Sequence, residues 1–366
     1  MKKTIVLVLV LAVIMTVFTS CPKSSGGVQV DVFWYSFADT FLVSVRNAMI
    51  EEAKNMPEIR VTHHDGNANQ TTQTQMVQTA VNRGSKLLVV NIVTTGSDES
   101  AMNIIELAKA SNLPVIFFNR EVSNDVINSY ENAAFVGTDA DEAGFMQGQA
   151  IAEFLLREEN WDGAKSKFDL NSDNKISYVM FRGEHGNAEA RGRTKYSVQE
   201  ANRLLGDRLQ LAPSPANQVS TQYEDDGISN YFLYGNWSAA EAANLMRTAL
   251  SAHSLTNGSV ELVIANNDDQ ALGAIEAMNE QGFNTGALNA GYIPVFGVDA
   301  TAVAQEAIQS GKMTGTVLQD AVGMAATVFA LTKNIVDGEP LLANTDDFNI
   351  DEGVNKIRVP YAIVTK

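Results

Sequence analysis

The chain has 366 residues, 45% apolar and 19% charged, with 43 acidic side chains against 26 Lys and Arg and a net charge of −17. That length accommodates two domains, each able to bury its own core, and the apolar fraction excludes a disordered chain. The acidity argues against nucleic acid as a partner. A single cysteine excludes an internal disulfide or a cysteine zinc cluster, and the four histidines form no H-E-x-x-H signature.

Residues 1–20 read as an export leader. Lys2 and Lys3 precede fourteen almost continuously apolar residues, Ile5 to Phe18. That run is shorter than the ~20 residues a membrane span needs. Thr19-Ser20-Cys21 follows and resembles a bacterial lipoprotein lipobox, in which the cysteine is lipidated and begins the mature chain. Residues 21–27 then form the lipidated cysteine and a flexible tether. Losing Lys2 and Lys3 makes the mature chain more acidic still.

Beyond the tether, short apolar runs alternate with longer amphipathic stretches. The pattern predicts strands over Val28–Tyr35, Arg60–His64, Leu87–Val93, Val115–Asn119, Ala134–Gly137, Ile176–Phe181, Leu262–Ala265, Val295–Gly297, Gly315–Leu318 and Val359–Val364. Helices are predicted over Phe41–Met56, Thr71–Arg83, Asp141–Glu158, Ala188–Leu205, Ala239–Ala252, Asp268–Gln281 and Gly323–Asp337. Such alternation implies an α/β chain of parallel sheets flanked by helices. Leu211 to Gly235, with Pro213, Pro215, Tyr223, Tyr231 and Tyr234, reads as a long loop.

Five apolar runs finish in a residue able to hydrogen-bond a ligand: Asp39, Asn119, Asn266 with Asn267, Asp299 and Gln319. In open parallel sheets ligands bind at the carboxyl ends of the strands. Taken singly, each of these residues could equally cap the next helix. Together, carboxylates that accept and carboxamides that donate and accept suit a ligand covered in hydroxyls. Phe41 and Trp237 stand near the same ends, where an aromatic face could cover the C–H face of a pyranose or simply join the core.

Asp39-Thr-Phe41, Val115-Ile-Phe-Phe-Asn-Arg-Glu121, Phe135-Val-Gly-Thr-Asp139, Val263-Ile-Ala-Asn-Asn-Asp268, Val295-Phe-Gly-Val-Asp299 and Gly315-Thr-Val-Leu-Gln-Asp320 resemble the periplasmic galactose/glucose-binding protein family. The six motifs run in the family's order and cover the chain from about Val30 to Tyr361. The resemblance implies two similar lobes, each a doubly wound parallel sheet flanked by helices, with a ligand cleft between them. The chain would cross three times, near Thr138/Asp139, Leu318/Gln319 and Arg358/Val359. The N-terminal lobe would hold residues 28–138 with 319–358, and the C-terminal lobe 139–318 with 359–366. The implied sugar contacts are Asp39, Phe41, Asn119, Trp237, Asn267 and Asp299, with Gln319 where the family usually has asparagine. In Gly183-Glu-His-Gly-Asn187-Ala-Glu189-Ala-Arg-Gly-Arg193-Thr, the ungapped register puts Asn187, Glu189 and Arg193 at the family's histidine, aspartate and arginine places. A gapped register would use His185, Asn187 and Arg191. The ungapped one is preferred because it keeps Glu189 and Arg193 on one helical face.

Asp169-Leu-Asn171-Ser-Asp173-Asn-Lys175-Ile-Ser177 places oxygens at positions 1, 3, 5, 7 and 9 of a calcium loop, with Lys175 offering its carbonyl. Asn174 stands at the turn position that glycine usually fills. Position 12 is Met180, so the loop lacks its own bidentate carboxylate. By resemblance that carboxylate comes from Glu261, and Ser177 replaces a longer glutamine. A solvated Asp/Asn turn is the alternative.

The resemblance therefore implies a monomeric, calcium-bearing, lipid-anchored periplasmic protein that captures a hexose, D-galactose or D-glucose, and delivers it to the membrane subunits of an ABC permease. A sugar sensor for a chemotaxis receptor is the second reading. A carbohydrate-active enzyme using Asp39 and Asp299 as a carboxylate pair is the third. The chain has no phosphate loop, dinucleotide glycine motif or G-x-S-x-G elbow, and no DNA-binding segment precedes Val28.

Overall fold

The computed structural model describes residues 27–162, 165–212, 233–254, 257–286 and 291–366. The leader, Cys21, Pro213, Pro215, Tyr223 and Tyr231 lie outside the described residues.

Strands and helices alternate as the apolar pattern predicts. The first part of the chain runs β1 (Val28–Trp34), α1 (Thr40–Lys54), β2 (Ile59–Asp65), α2 (Gln70–Arg83), β3 (Leu87–Val90), α3 (Glu99–Ala110), β4 (Val115–Phe118), α4 (Asn124–Asn128) and β5 (Ala133–Gly137). Next come α5 (Ala140–Leu155), a small hairpin of β6 (Trp161–Asp162) and β7 (Lys165–Ser166), β8 (Ile176–Arg182), α6 (Ala188–Leu205), β9 (Leu209–Leu211), β10 (Leu233–Tyr234) and α7 (Ala239–Leu250). They are followed by β11 (Leu262–Ala265), α8 (Asp268–Glu280), β12 (Val295–Asp299), α9 (Ala302–Gln309) and β13 (Gly315–Gln319). The chain closes with α10 (Ala321–Asp337), β14 (Asn349–Ile350), β15 (Lys356–Arg358) and β16 (Tyr361–Thr365).

Two sheets result. One has the order β14-β15-β5-β4-β3-β1-β2, and the other β10-β8-β11-β12-β13-β16 with β9 also on β8. Central strands such as Leu87-Leu-Val-Val90 are buried throughout, as a parallel strand covered on both faces must be. In the first lobe Val30, Val32 and Trp34 pack toward α1 and α10, while Phe33 packs toward the α2 and α3 side. In the second lobe one layer joins α7, α8 and α9 to the sheet, and the other joins α5 and α6. The sheets are not wholly parallel: β14–β15 and β13–β16 are antiparallel pairs. The expected loop from Leu211 to Gly235 has strands at both ends, β9 and β10, which pair with β8. Sheet membership changes between β5 and α5, between β13 and α10, and between β15 and β16. Among the described residues no helix is long and apolar enough to cross a membrane.

Helices α5 and α6 lie backbone to backbone. A Cβ on Gly148 would stand 2.6 Å from the Ser197 carbonyl oxygen, and one on Gly192 2.5 Å from that of Ala140. Only glycine permits such an approach.

Candidate functional site

The carboxyl ends of the two sheets face each other across a cavity, and all ten expected ligand residues border it. Asp39, Phe41 and Asn119 come from the first lobe, Asn187, Glu189, Arg193, Trp237, Asn267 and Asp299 from the second, and Gln319 from the end of β13. Tyr35, Leu42 and Arg120 also line it. The sequence reading passed over these three, although Tyr35 follows β1 and Arg120 follows Asn119 at strand ends that the same rule selects.

Capping and lining turn out to be compatible roles. Asp39 Oδ1 accepts from Leu42 N at 2.8 Å, Asn187 Oδ1 from Ala190 N at 2.9 Å and Asn267 Oδ1 from Gln270 N at 3.0 Å. Each cap fixes one oxygen on a helix start and leaves the rest of the side chain at the cavity. Asn267 Nδ2 also donates to the Trp237 carbonyl at 3.2 Å, holding the residue that carries the indole. Asn119 Oδ1 accepts from Asn91 Nδ2 at 3.0 Å. Asn119, Trp237 and Asp299 all have positive φ, at 61°, 64° and 122°. Strained backbone of this kind costs on the order of 1–3 kcal/mol per residue and concentrates at binding sites.

Three carboxylates meet in the cavity without enough donors. Both Glu189 oxygens are buried with no partner among the described residues, and so is Arg193 Nε. Asp299 Oδ1 is 3.6 Å from Arg193 Nη1. Burial pushes the Asp39, Glu189 and Asp299 carboxyls above the usual range, Asp299 well above it. Arg193 draws Glu189 and Asp299 back only in part, and Asp268 pushes Asp299 further up. Buried acceptors of this sort are satisfied by a ligand that brings several O–H donors.

The lobes are closed on each other. Arg120, with its guanidinium 4.3 Å over the Tyr35 ring, pairs with Glu184 of the second lobe. Thr40 of α1 bonds Asp269 of α8.

The calcium-loop residues lie in the second lobe, away from this cavity. Asp169 accepts from Asp173 N and Asn174 N at 3.1 and 3.0 Å, and Asp173 from Lys175 N at 2.8 Å. Ser172 and Asn174 take the left-handed turns, at φ 63° and 65°. Glu261 reaches the loop from outside and accepts from Leu170 N at 2.6 Å and Ser177 N at 2.7 Å. Burial pushes its carboxyl up to about 7. Gln210, directly opposite Ser177 across β8 and β9, donates to Asp173 Oδ2 at 2.9 Å and Ser177 Oγ at 3.1 Å. Carboxylate, carboxamide and carbonyl oxygens around one coil are the donor chemistry of a hard cation, but among the described residues no three His, Cys, Asp or Glu side chains are gathered as a metal would need.

The profile of the family described as "Periplasmic binding protein domain" matches residues 30–340. The D-galactose/methyl-galactoside binding periplasmic protein of Haemophilus influenzae is 32% identical over 366 residues, covering 100% of this chain and 98% of that one. A putative rhizopine-binding protein of Rhizobium meliloti is 26% identical over 90% of this chain and 87% of its own length. Among solved structures, an ABC transporter solute binding protein from Bacillus halodurans with bound myo-inositol superposes with a TM-score of 0.68 at 26% identity, covering 94% of this chain and 96% of that one. The two-lobed fold, the cleft between the lobes and these matches agree: the chain belongs to the periplasmic binding protein family.

Proposed function

We propose that the protein binds a hexose, D-galactose or D-glucose, between its lobes and delivers it to the membrane subunits of an ABC permease. The observation that carries this reading is the convergence of Asp39, Glu189 and Asp299 on one buried cavity, with Arg193, Asn119 and Asn187 as donors. A ring bearing about five hydroxyls brings a donor for each of the five carboxylate oxygens left once Asp39 Oδ1 caps α1, and it accepts from the three donors. An anionic sugar would add a further acid to three carboxyls that burial already disfavours as anions. Phe41 and Trp237 supply aromatic surface for the ring faces.

Two accessory features complete the reading. Calcium would be held by Asp169, Asn171, Asp173, the Lys175 carbonyl, Ser177 and Glu261, where it would tie the loop to the strand that Glu261 precedes. Cys21 carries the lipid that tethers the protein on the periplasmic side; Cys21→Ser should move it from the detergent phase to the soluble fraction, and unchanged partitioning would refute the anchor.

Calorimetric titration of refolded, sugar-free protein with galactose, glucose, xylose, myo-inositol and glucuronate tests the central claim. Saturable binding of a hexose, unchanged on recovery, supports a binding protein. Conversion of the sugar would favour an enzyme, and tighter binding of myo-inositol or xylose than of either hexose would move the assignment.

A further inference from the structure

The three passages of the chain between the sheets meet at one side chain. Thr138 follows β5 at the first passage, Gln319 ends β13 at the second and Tyr361 opens β16 at the third. Gln319 and Tyr361 are cross-strand partners. Thr138 Oγ1 lies 2.7 Å from the Tyr361 hydroxyl and accepts from Gln319 Nε2 at 3.2 Å. Arg193, from α6 in the cleft wall, donates Nη2 to Gln319 Oε1 at 3.0 Å and to the Tyr361 hydroxyl at 3.1 Å. All four residues are at most 4% exposed.

The lobes contribute unequally to this cluster. Gln319 and Tyr361 belong to the second sheet, as Arg193 belongs to the helix beside it. Thr138 is held to the first lobe by Arg358, whose Nη1 donates to the Thr138 carbonyl at 2.8 Å, and by the adjoining bond from Val359 N to Gly137 O at 2.7 Å. The bonds from Thr138 to Gln319 and Tyr361 therefore span the hinge, while Arg193 sets the direction in which Gln319 and Tyr361 present themselves. Swinging the lobes apart would strip buried polar groups of partners, and such loss is what makes one arrangement of a buried network preferred. Both functions of the Gln319 amide are occupied, the oxygen by Arg193 and the nitrogen by Thr138. Arg193 Nε, by contrast, has no partner among the described residues.

We propose that Gln319 is a positioning residue: with Thr138 and Tyr361 it clasps the three crossings in the closed arrangement, and it acts on the ligand through Arg193 and the closed population. A ligand that engages Arg193 Nε orders the same guanidinium that orients the clasp, so occupancy and closure reinforce each other. For affinity this rests on the sugar reading above; for hinge geometry it does not.

The test uses Gln319→Ala, Thr138→Val and the double variant. Thr138 does not line the cavity, so its effect on binding has no direct route. Affinities for D-glucose, D-galactose and myo-inositol are measured by calorimetry, and small-angle scattering of sugar-free protein reports the open and closed populations. The clasp predicts that each single variant weakens every ligand the parent binds by a common factor, about tenfold. The double variant should lose little more, because both remove one linkage. Sugar-free variants should scatter as a more open molecule. Should Thr138→Val bind like the parent while Gln319→Ala loses only some ligands, Gln319 is a direct contact and the clasp is wrong. Where the parent binds none of the three probes, the sugar reading fails and scattering decides alone: identical profiles for parent and Thr138→Val overturn the clasp. Thr138→Val also keeps the test open should Gln319→Ala not fold.

Discussion

Thr40 Oγ1 on the first turn of α1 donates to Asp269 Oδ2 on the first turn of α8 at 2.6 Å, one lobe bonding the other at the cleft mouth. Burial raises the Asp269 carboxyl and this bond offsets the rise only in part. The bond exists only when the lobes are shut, so it opposes release and has no role in encounter. Thr40→Val should leave the association rate unchanged and speed sugar dissociation roughly two- to tenfold, from a bond worth about 0.5–1.5 kcal/mol. Stopped-flow tryptophan fluorescence measures both rates, and a change confined to association would contradict the closing role.

Asp299 ends β12 with its carboxylate in the cavity. Charge-assisted bonds from ring hydroxyls are worth about 1.5–3 kcal/mol each, so Asp299→Ala should weaken hexose binding at least ten- to a hundredfold. Trp237→Ala should weaken it too and remove most of the sugar-dependent fluorescence change. Trp34, buried in the first-lobe core with its Nε1 donating to His63 Nδ1 at 3.1 Å, is the control. Parent-like binding by both variants would displace the site from this cavity.

Sugar-free protein should lose stability as pH rises. Burial pushes the Asp268 carboxyl up to about 7, against the bonds it receives from Thr316 and Thr301. A raised folded value means the folded state holds its proton longer than the unfolded chain. That stability is full below the ordinary carboxylate range and is lost as pH passes about 7. Asp268 alone implies a loss of roughly 2–3 kcal/mol between pH 5 and 8. Asp299, Asp39 and Glu189 shift the same way, whereas Asp31 and Glu121 are lowered and act only at acidic pH. Burial lowers His63 to about 4 and also lowers His253, which opposes the trend below about pH 6.5 and leaves the net loss to the upper part of the window. Thermal melts should show a higher Tm at pH 5 than at pH 8, a difference reduced in Asp268→Asn. A Tm that climbs across this window would reject the assignment.

Calcium should raise Tm relative to chelator, by about 2.7 kcal/mol of stability at a hundredfold excess over Kd. Glu261→Gln should abolish most of that gain. Gln210→Ala should reduce it, since the Gln210 carboxamide reaches the short Ser177 position from the neighbouring strand. Identical Tm values with calcium and chelator would leave Asp169–Ser177 a plain turn.

Long elements were legible because periodicity accumulates over many residues: Ala188–Leu205 matches the sequence reading residue for residue. The two-residue β14 and three-residue β15 carry no readable period, and β15 finds its partner β5 more than two hundred residues away in the chain. The cavity-lining residues at strand ends were visible because the parallel sheet puts its carboxyl ends there. Arg120 was not, since what marks it is spatial: it stacks on Tyr35 and pairs with Glu184 from the opposite lobe. Nor could the sequence separate capping from lining at Asp39, Asn187 and Asn267, because folding lets one side chain do both.

The glycine seam between α5 and α6 governs how the second lobe arrives at the ligand. Helix α5 starts two residues past Thr138, and α6 carries Glu189 and Arg193 behind its Asn187 cap. With main chain against main chain, neither helix can slide without collision, so the pair turns as one piece about the first crossing. On the proposed reading, Asn187, Glu189 and Arg193 then reach the ligand simultaneously, as the jaw of a vice does. A ligand too bulky for any one of them therefore forfeits all three.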